Sequence, residues 1–402
     1  MAGSDLKAQS IPLMPANAQS ASTKAGKDFL APVFAQYPME VVSAEGVWLM
    51  NRTGERVLDL YGGHAVAALG YAHPAWTRAL TEQAQLCNFQ SNAVPIEVRS
   101  RAAARLARFA GGHFDRVFFV NSGAEANENA LKMAFRATKR SHIAALEYGF
   151  HGRTAGAGAL TWGAFEKWYG MPRTPFDVSF MIRKDIGSLS KHITEKTAAV
   201  FIEPVQGLAG AYDFGAEYLH AVRKRCDAVG ALLVFDEVQC GMGRTGHPFA
   251  ADMYNVRPDM ITTAKALGNG FPVAALLTTP KVSAAIKLDS MGTTYGGGPM
   301  ACAAVEAVIE AIESQRLLER VRRISSYIRE TCMVGPVTGF QGAGFLTGVR
   351  LSRPAKEVHA ELLEVGILAG TSTDPNVLRL LPPFILEEEH VDILRDALTH
   401  LS

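Results

Sequence analysis

The chain lacks charge of one sign. Forty Lys and Arg stand against 39 Asp and Glu, a formal net charge of +1 over 402 residues. No overall bias draws it to nucleic acid, to an anionic membrane or to a polycationic partner. Cysteine is scarce: five are scattered at positions 87, 226, 240, 302 and 332, with no C-x-x-C pair and no Cys/His ligand spacing. Neither a disulfide framework nor a metal site is expected, and a reducing, cytoplasmic setting fits. No apolar run approaches the roughly eighteen residues of a membrane span. The first residues lack the charged start and apolar stretch of a secretory signal. Internal repeats and low-complexity linkers are missing as well.

What is present belongs to an ordinary globular protein, 48% hydrophobic and 20% charged. A chain of this length buries about 75% of the surface its unfolded form exposes, ample for two or three domains. Residues 1–25 are rich in Ala and Ser without periodicity and read as a flexible tail; Asp5 and the absence of Arg weaken a transit-peptide reading. From Glu40 the alternation in VVSAEGVWLM, the turn NRTGER and then VLDLY predict a hairpin-like β segment. Beyond Ala75 helical stretches, Trp76–Leu86 and Glu97–Phe109 among them, alternate with the short apolar runs RVFFVN, AAVFIEP and ALLVFDE. That pattern predicts βα units around a mostly parallel sheet buried on both faces. A long helix is expected from Met300 to about Glu313. The fold class is therefore α/β. Residues 75–299 form the large domain, and 26–74 with 300–402 form a smaller α+β domain built from both ends of the chain.

Three segments carry chemistry. Asn121-Ser122-Gly123-Ala124-Glu125 follows the strand RVFFV. Ser122 and Glu125 form a capping box, and the small residues leave backbone N–H groups open at a helix start, a generic phosphate seat. Glu203 and Asp236 each end an apolar strand, where ligands of open α/β sheets bind; either acid could equally be the first solvated residue. Lys265 is the one charge between Met260 and Gly270. A partly desolvated lysine is a usable amine nucleophile, able to form a Schiff base, although a surface lysine is an equal reading on this segment alone. Gly241-Met242-Gly243-Arg244-Thr245-Gly246 matches a dinucleotide fingerprint, but His247-Pro248 follows where a helix should open. Together with Phe150-His151-Gly152-Arg153-Thr154 and Thr293-Thr294-Tyr295-Gly296-Gly297-Gly298, these elements suit an aromatic aldehyde cofactor carrying a phosphate and a ring nitrogen.

On NSGAEANE, FHGRT, EPVQG, FDEVQCGMGRTG, TAKALGNGFP, TTYGGGP and NVLRLLPP, the chain resembles the class III aminotransferases of the pyridoxal-phosphate fold-type I superfamily, and among them the acetylornithine enzymes, from about Tyr37 onward. The resemblance implies pyridoxal 5'-phosphate bound through Lys265, with Asp236 on the pyridine nitrogen. It places Val238 and Phe150 on the two ring faces, Gln239 on the phenolic oxygen, and Ser122, Gly123 and Ala124 at the phosphate. Thr294 is expected to reach the phosphate of a neighbouring subunit, implying a homodimer with shared sites, and Thr293 to touch substrate. Arg153 and Arg379 are expected to receive substrate carboxylates, with Glu203 pairing to Arg379 as a switch and Tyr37 at the entrance.

Two departures lie at the substrate end: Leu208-Ala209-Gly210, where the family commonly has Glu-Gly-Gly, and His64, where an aliphatic residue or a tyrosine is usual. The implied reaction moves the δ-amino group of N2-acetylornithine to 2-oxoglutarate, in arginine biosynthesis or the reverse route. Succinylornithine, ornithine, succinyldiaminopimelate and 4-aminobutyrate are the alternative donors. An oxidoreductase using GMGRTG and a catalytically silent relative are the rivals from other classes.

Overall fold

The computed structural model describes residues 29–401; the expected tail over 1–25 lies outside them. Strands β1 (Val41–Glu45), β2 (Trp48–Asn51) and β3 (Arg56–Asp59) form an antiparallel meander. Then come β4 (Arg116–Val120), β5 (His142–Leu146), β6 (Asp177–Met181) and β7 (Thr197–Ile202). A short hairpin, β8 (Val205–Gln206) and β9 (Tyr212–Asp213), precedes β10 (Leu232–Asp236), β11 (Met260–Thr263) and β12 (Ala274–Thr278). The last strands are β13 (Val337–Ala343), β14 (Leu346–Leu351), β15 (Ile367–Leu368) and β16 (Val377–Leu380).

Seven strands make the central sheet in the order β4-β12-β11-β10-β7-β5-β6. Only β12 runs against its neighbours; β6, β5, β7, β10 and β11 pair in parallel. Every residue of β7 and β10 is buried, as their apolar composition requires of strands covered on both faces. The helix Gly123–Thr138 buries Leu131, Met133 and Ala134 in a cluster with Ile143, Phe201, Val234 and Leu276. Full burial of each large side chain there contributes about 1.5–3 kcal/mol. The helix Glu97–Phe109 has the predicted bounds and buries Val98, Ala102, Leu106 and Phe109, one stripe at helical spacing. The expected C-terminal helix spans Pro299–Ser314.

The two ends of the chain meet in one sheet: β15 pairs in parallel with β3, Ile367 opposite Leu58. A three-stranded sheet, β13-β14-β16, presents Arg379 from its edge strand. Among the described residues no helix is long and apolar enough to cross a membrane. Because the parallel strands point one way, the residues following β4, β5, β7, β10 and β11 gather at one sheet edge, where such folds bind ligands.

Candidate active site

Asp236 ends β10 at the middle of the sheet and is buried. Its Oδ2 accepts hydrogen bonds from His151 Nδ1 (2.7 Å) and Asn127 Nδ2 (2.8 Å), and its Oδ1 from the Val238 N–H (3.1 Å). Asn127 is fixed in turn by the Thr262 hydroxyl, which donates to its Oδ1 at 2.7 Å, and by its own Nδ2 bond to His151 O. Burial disfavours a charged His151, but the hydrogen bond and charge of Asp236 outweigh it and raise the imidazole pKa. A buried acid so braced keeps its direction, and it retains acceptor capacity for a donor arriving from the open side.

Lys265 follows β11 and opens a short 3-10 turn, with its backbone in the left-handed region at φ +48°. A non-glycine residue held there is strained, a condition that persists when the surroundings over-determine it. Burial lowers the proton affinity of its amine, opposed by the charges of Asp236 and Glu203. Glu203, just past β7, is buried and accepts from the Phe150 N–H at 2.9 Å. Burial pushes its carboxyl up to about 7, with His151 acting against that shift and Asp236 adding to it.

The turn after β4 closes as its sequence demands. The Ser122 hydroxyl accepts from the Glu125 N–H at 3.2 Å. The reciprocal half of the box goes one residue earlier than expected: Glu125 Oε2 takes the N–H of Asn121 at 2.7 Å, together with its side-chain amide. Glycine is required beside it, since a Cβ on Gly123 would sit 2.8 Å and 2.9 Å from the two methyls of Val238. Gly207 is pressed more closely still by Gln239, whose Oε1 would overlap a Cβ there, and the Nε2 of Gln239 donates to His64 O at 3.2 Å. Thr293 spends its hydroxyl on Gly296 N–H (3.1 Å) and Asn121 Nδ2 (3.4 Å), while Thr294 next to it is exposed.

Arg379 is buried, and all three guanidinium nitrogens find neutral acceptors: Thr371 O at 2.7 Å, Gly207 O at 3.3 Å and the Tyr61 hydroxyl at 3.3 Å. It is therefore not ion-paired with Glu203 in this structure. The Tyr61 hydroxyl and His64 Nδ1 are hydrogen-bonded at 2.5 Å, and burial lowers the pKa of His64. Tyr37 stacks on His359, ring centres 5.1 Å apart, and feels the charge of Arg379. Arg153 is exposed, its guanidinium 5.3 Å from the ring centre of Trp168. The Gly241–Gly246 turn opens no helix, and Arg244 within it is wholly buried against Phe384. The dinucleotide reading is thereby excluded.

Sequence reasoning gave no role to Asn127, His151, Thr262 or Tyr61. His151 and Asn127 lie inside the quoted motifs FHGRT and NSGAEANE, but nothing in those motifs shows that both are buried against Asp236.

The residues present suit a phosphorylated pyridine aldehyde. The braced carboxylate of Asp236 matches a ring N–H, and the amine of Lys265, its proton affinity lowered, matches an aldehyde. The open N–H groups at Gly123 and Ala124 match a phosphate.

Comparison with known proteins agrees. Residues 31–401 match the family model described as Aminotransferase class-III. The acetylornithine aminotransferase of Methanocaldococcus jannaschii is 36% identical over 387 residues, 92% of this chain and 95% of that protein. That of Vibrio vulnificus is 37% identical over 386 residues, 91% and 93% of the two chains. Among solved structures, the ornithine aminotransferase from Toxoplasma gondii superposes with a TM-score of 0.86 at 27% identity, covering 92% of this chain and 91% of that one. The acetylornithine aminotransferase from Elizabethkingia anophelis gives 0.81 at 28% identity, covering 92% and 96%. With an acid for the ring nitrogen, an amine for the aldehyde and a helix start for the phosphate on one sheet edge, the chain belongs to the class-III aminotransferases and works with pyridoxal phosphate.

Proposed function

We propose that the enzyme transfers the δ-amino group of N2-acetyl-L-ornithine to 2-oxoglutarate, giving N-acetyl-L-glutamate 5-semialdehyde and L-glutamate, in the cytoplasm. The observation that carries this reading is Arg379: a buried guanidinium bonded to neutral acceptors, one of them the Tyr61 hydroxyl, and within reach of the charge of Glu203. A cation so placed is a seat for the α-carboxylate of glutamate. When the donor carries a distal amine and no carboxylate at that end, Glu203 is the group that can neutralise it. Relatives named acetylornithine aminotransferase support the donor assignment.

When bound, pyridoxal phosphate supplies the aldehyde that exchanges oxygen for the donor nitrogen and the protonated ring that draws electrons from the reacting carbon. Asp236, braced by His151 and Asn127, holds the proton on the ring nitrogen. Lys265, as the free amine, would take the proton from the donor's δ-carbon through Nζ; burial lowers the proton affinity of that amine. Val238 and Phe150 exclude water from the ring faces, Gln239 orients the phenolic oxygen, and Ser122, Gly123 and Ala124 anchor the phosphate. Arg153 holds the donor's α-carboxylate, Thr293 contacts substrate, and Tyr37 lines the entrance. Thr294 completes the phosphate seat of a second copy, so the working unit is a homodimer with shared sites.

The test is an absorption spectrum of the holoenzyme with N2-acetylornithine and no keto acid. Loss of the long-wavelength band to the shorter-wavelength amine form shows acceptance of the donor; an unmoved band rules that donor out. A second reading, another distal amine such as free ornithine, is favoured by the superposition on the Toxoplasma gondii enzyme. The same assay separates it, since ornithine alone would then shift the band.

A further inference from the structure

Arg153 is the proposed receiver of the donor's α-carboxylate, yet little around its own side chain fixes where it points. The guanidinium is exposed. Among the described residues it meets no hydrogen-bond acceptor and no ion-pair partner, only the Trp168 ring with its centre 5.3 Å away. A long side chain of this kind receives a planar carboxylate well only if its backbone delivers it to the right place.

That backbone is fastened on both sides to one helix, Gly123–Thr138, whose first turn carries the proposed phosphate seat. On one side Gly152, in the left-handed region at φ +134°, lies against Ala124. A Cβ on Gly152 would stand 2.7 Å from the Ala124 methyl, so only glycine permits the approach. On the other side a single carboxylate oxygen of Glu128, Oε1, accepts three hydrogen bonds. They come from the Thr154 hydroxyl at 2.6 Å, the Gly156 N–H at 2.6 Å and the Ala157 N–H at 3.2 Å. Gly152 and Thr154 are the two immediate neighbours of Arg153.

Thr154 starts the short helix Ala155–Ala159, but its side chain does not cap that helix. Glu128, one turn beyond Ala124 on the longer helix, does so instead. It takes the second and third N–H groups of the short helix, together with the hydroxyl that would ordinarily have served them. Bonds to a charged acceptor are short and directional. Gly156 leaves room for the carboxylate, since a Cβ there would lie 2.6 Å from Glu128 Oε2. Glu128 thus holds the chain around Arg153 without pairing with its guanidinium, which keeps its charge for a ligand.

We propose that Glu128 is a positioning residue: it locks the backbone of Arg153 onto the helix that seats the phosphate, and so fixes the separation between the donor's α-carboxylate and the cofactor that its distal amine must reach. The inference deepens, and rests on, the proposed reading that Arg153 receives that carboxylate.

The experiment is a double-mutant cycle on the holoenzyme with N2-acetylornithine. Glu128→Ala should raise KM by about tenfold, the loss of a hydrogen-bonded charge contact, with kcat within about twofold of wild type. Arg153→Ala should raise KM at least as much. Adding Glu128→Ala to Arg153→Ala should then move KM by less than about twofold, because the first residue acts through the second. Glu128→Gln keeps an acceptor oxygen and should restore KM to within about threefold of wild type. Affinity for pyridoxal phosphate, from fluorescence titration of the apoenzymes, should change by less than about twofold throughout. Additive effects in the cycle, or a tenfold loss of cofactor affinity in Glu128→Ala, overturn the positioning role. An unmoved KM in Glu128→Ala does the same while leaving the reading of Arg153 intact. An unmoved KM in Arg153→Ala removes that reading and the inference with it. If wild type ignores N2-acetylornithine, the donor reading fails, and the cycle is scored with free ornithine, which carries the same α-carboxylate. Should Glu128→Ala not fold, Thr154→Val deletes one of the three bonds at an exposed position and should raise KM by about threefold; no rise overturns the proposal.

Discussion

At the scale of single residues, the arrangement around Asp236 makes separable demands. His151 touches no reacting atom; it holds the carboxylate through one bond at 2.7 Å. His151→Asn, too short to reach, should lower kcat by about 10–100-fold, the loss of one hydrogen bond to a charged group, with KM nearly unmoved. Steady-state kinetics on a variant of wild-type melting temperature checks it. Lys265→Ala should abolish multiple turnover while the fold stays intact; appreciable transamination by that variant would remove Lys265 from the chemistry. Glu203 gives a pH signature. Its carboxyl rises from the ordinary 4.5 to about 7, so between those values the unfolded chain holds fewer protons than the folded one. Stability from this group is therefore full at low pH and is lost as pH climbs through that window. Glu203→Gln can keep the bond to Phe150 N–H and should remove the slope. Its melting temperature should gain on wild type by about 2 °C or more between about pH 5 and pH 8.

Elements show why some of this was readable in sequence and some was not. The turn after β4 is local: Ser122 and Glu125 lie three apart, so the cap was legible, although the partner of Glu125 is Asn121. The stripe of Glu97–Phe109 and the unbroken apolar runs of β7 and β10 likewise carry their own period. By contrast β5 and β6, HIAAL and DVSFM, are short and rich in small or polar residues, with no period to separate them from loop. The brace on Asp236 was illegible for another reason. It joins residues 85 and 109 positions apart, a distance that no local pattern encodes. The fit of Gly123 against Val238 also crosses the sheet and yields a prediction at this scale. Gly123→Ala improves helix propensity, yet its methyl would press on side-chain atoms at 2.8 Å and 2.9 Å. Affinity for pyridoxal phosphate should fall by about tenfold, the cost of a modest steric misfit, without loss of thermal stability. Fluorescence titration of the apoenzyme measures the first and thermal melting the second.

For the whole molecule, one copy leaves Leu86, Phe89, Val94 and Tyr295 exposed, with Phe89 and Tyr295 ring centres 5.5 Å apart beside the Thr293–Thr294 loop. A cluster of this kind next to a candidate site is what a second copy would cover. Light scattering should return twice the 43.2 kDa chain mass. Thr294→Ala, at an exposed position, should weaken cofactor binding. A monomer of full activity would sink the shared-site proposal.

Arg244 links parts of the chain that are synthesised far apart in time. Its guanidinium, wholly buried, donates to Ala65 O and to Pro382 O, and β3 gains its last neighbour, β15, only when Ile367 meets Leu58. A nascent chain that has emerged through Thr278 owns every strand of the central sheet, yet its Arg244 still lacks the Pro382 carbonyl as an acceptor and its β3 edge is open. Such an edge pairs readily with other chains. The closing step of folding must therefore wait until the last few dozen residues leave the ribosome, and a fragment ending before Pro382 should need chaperones to stay in solution.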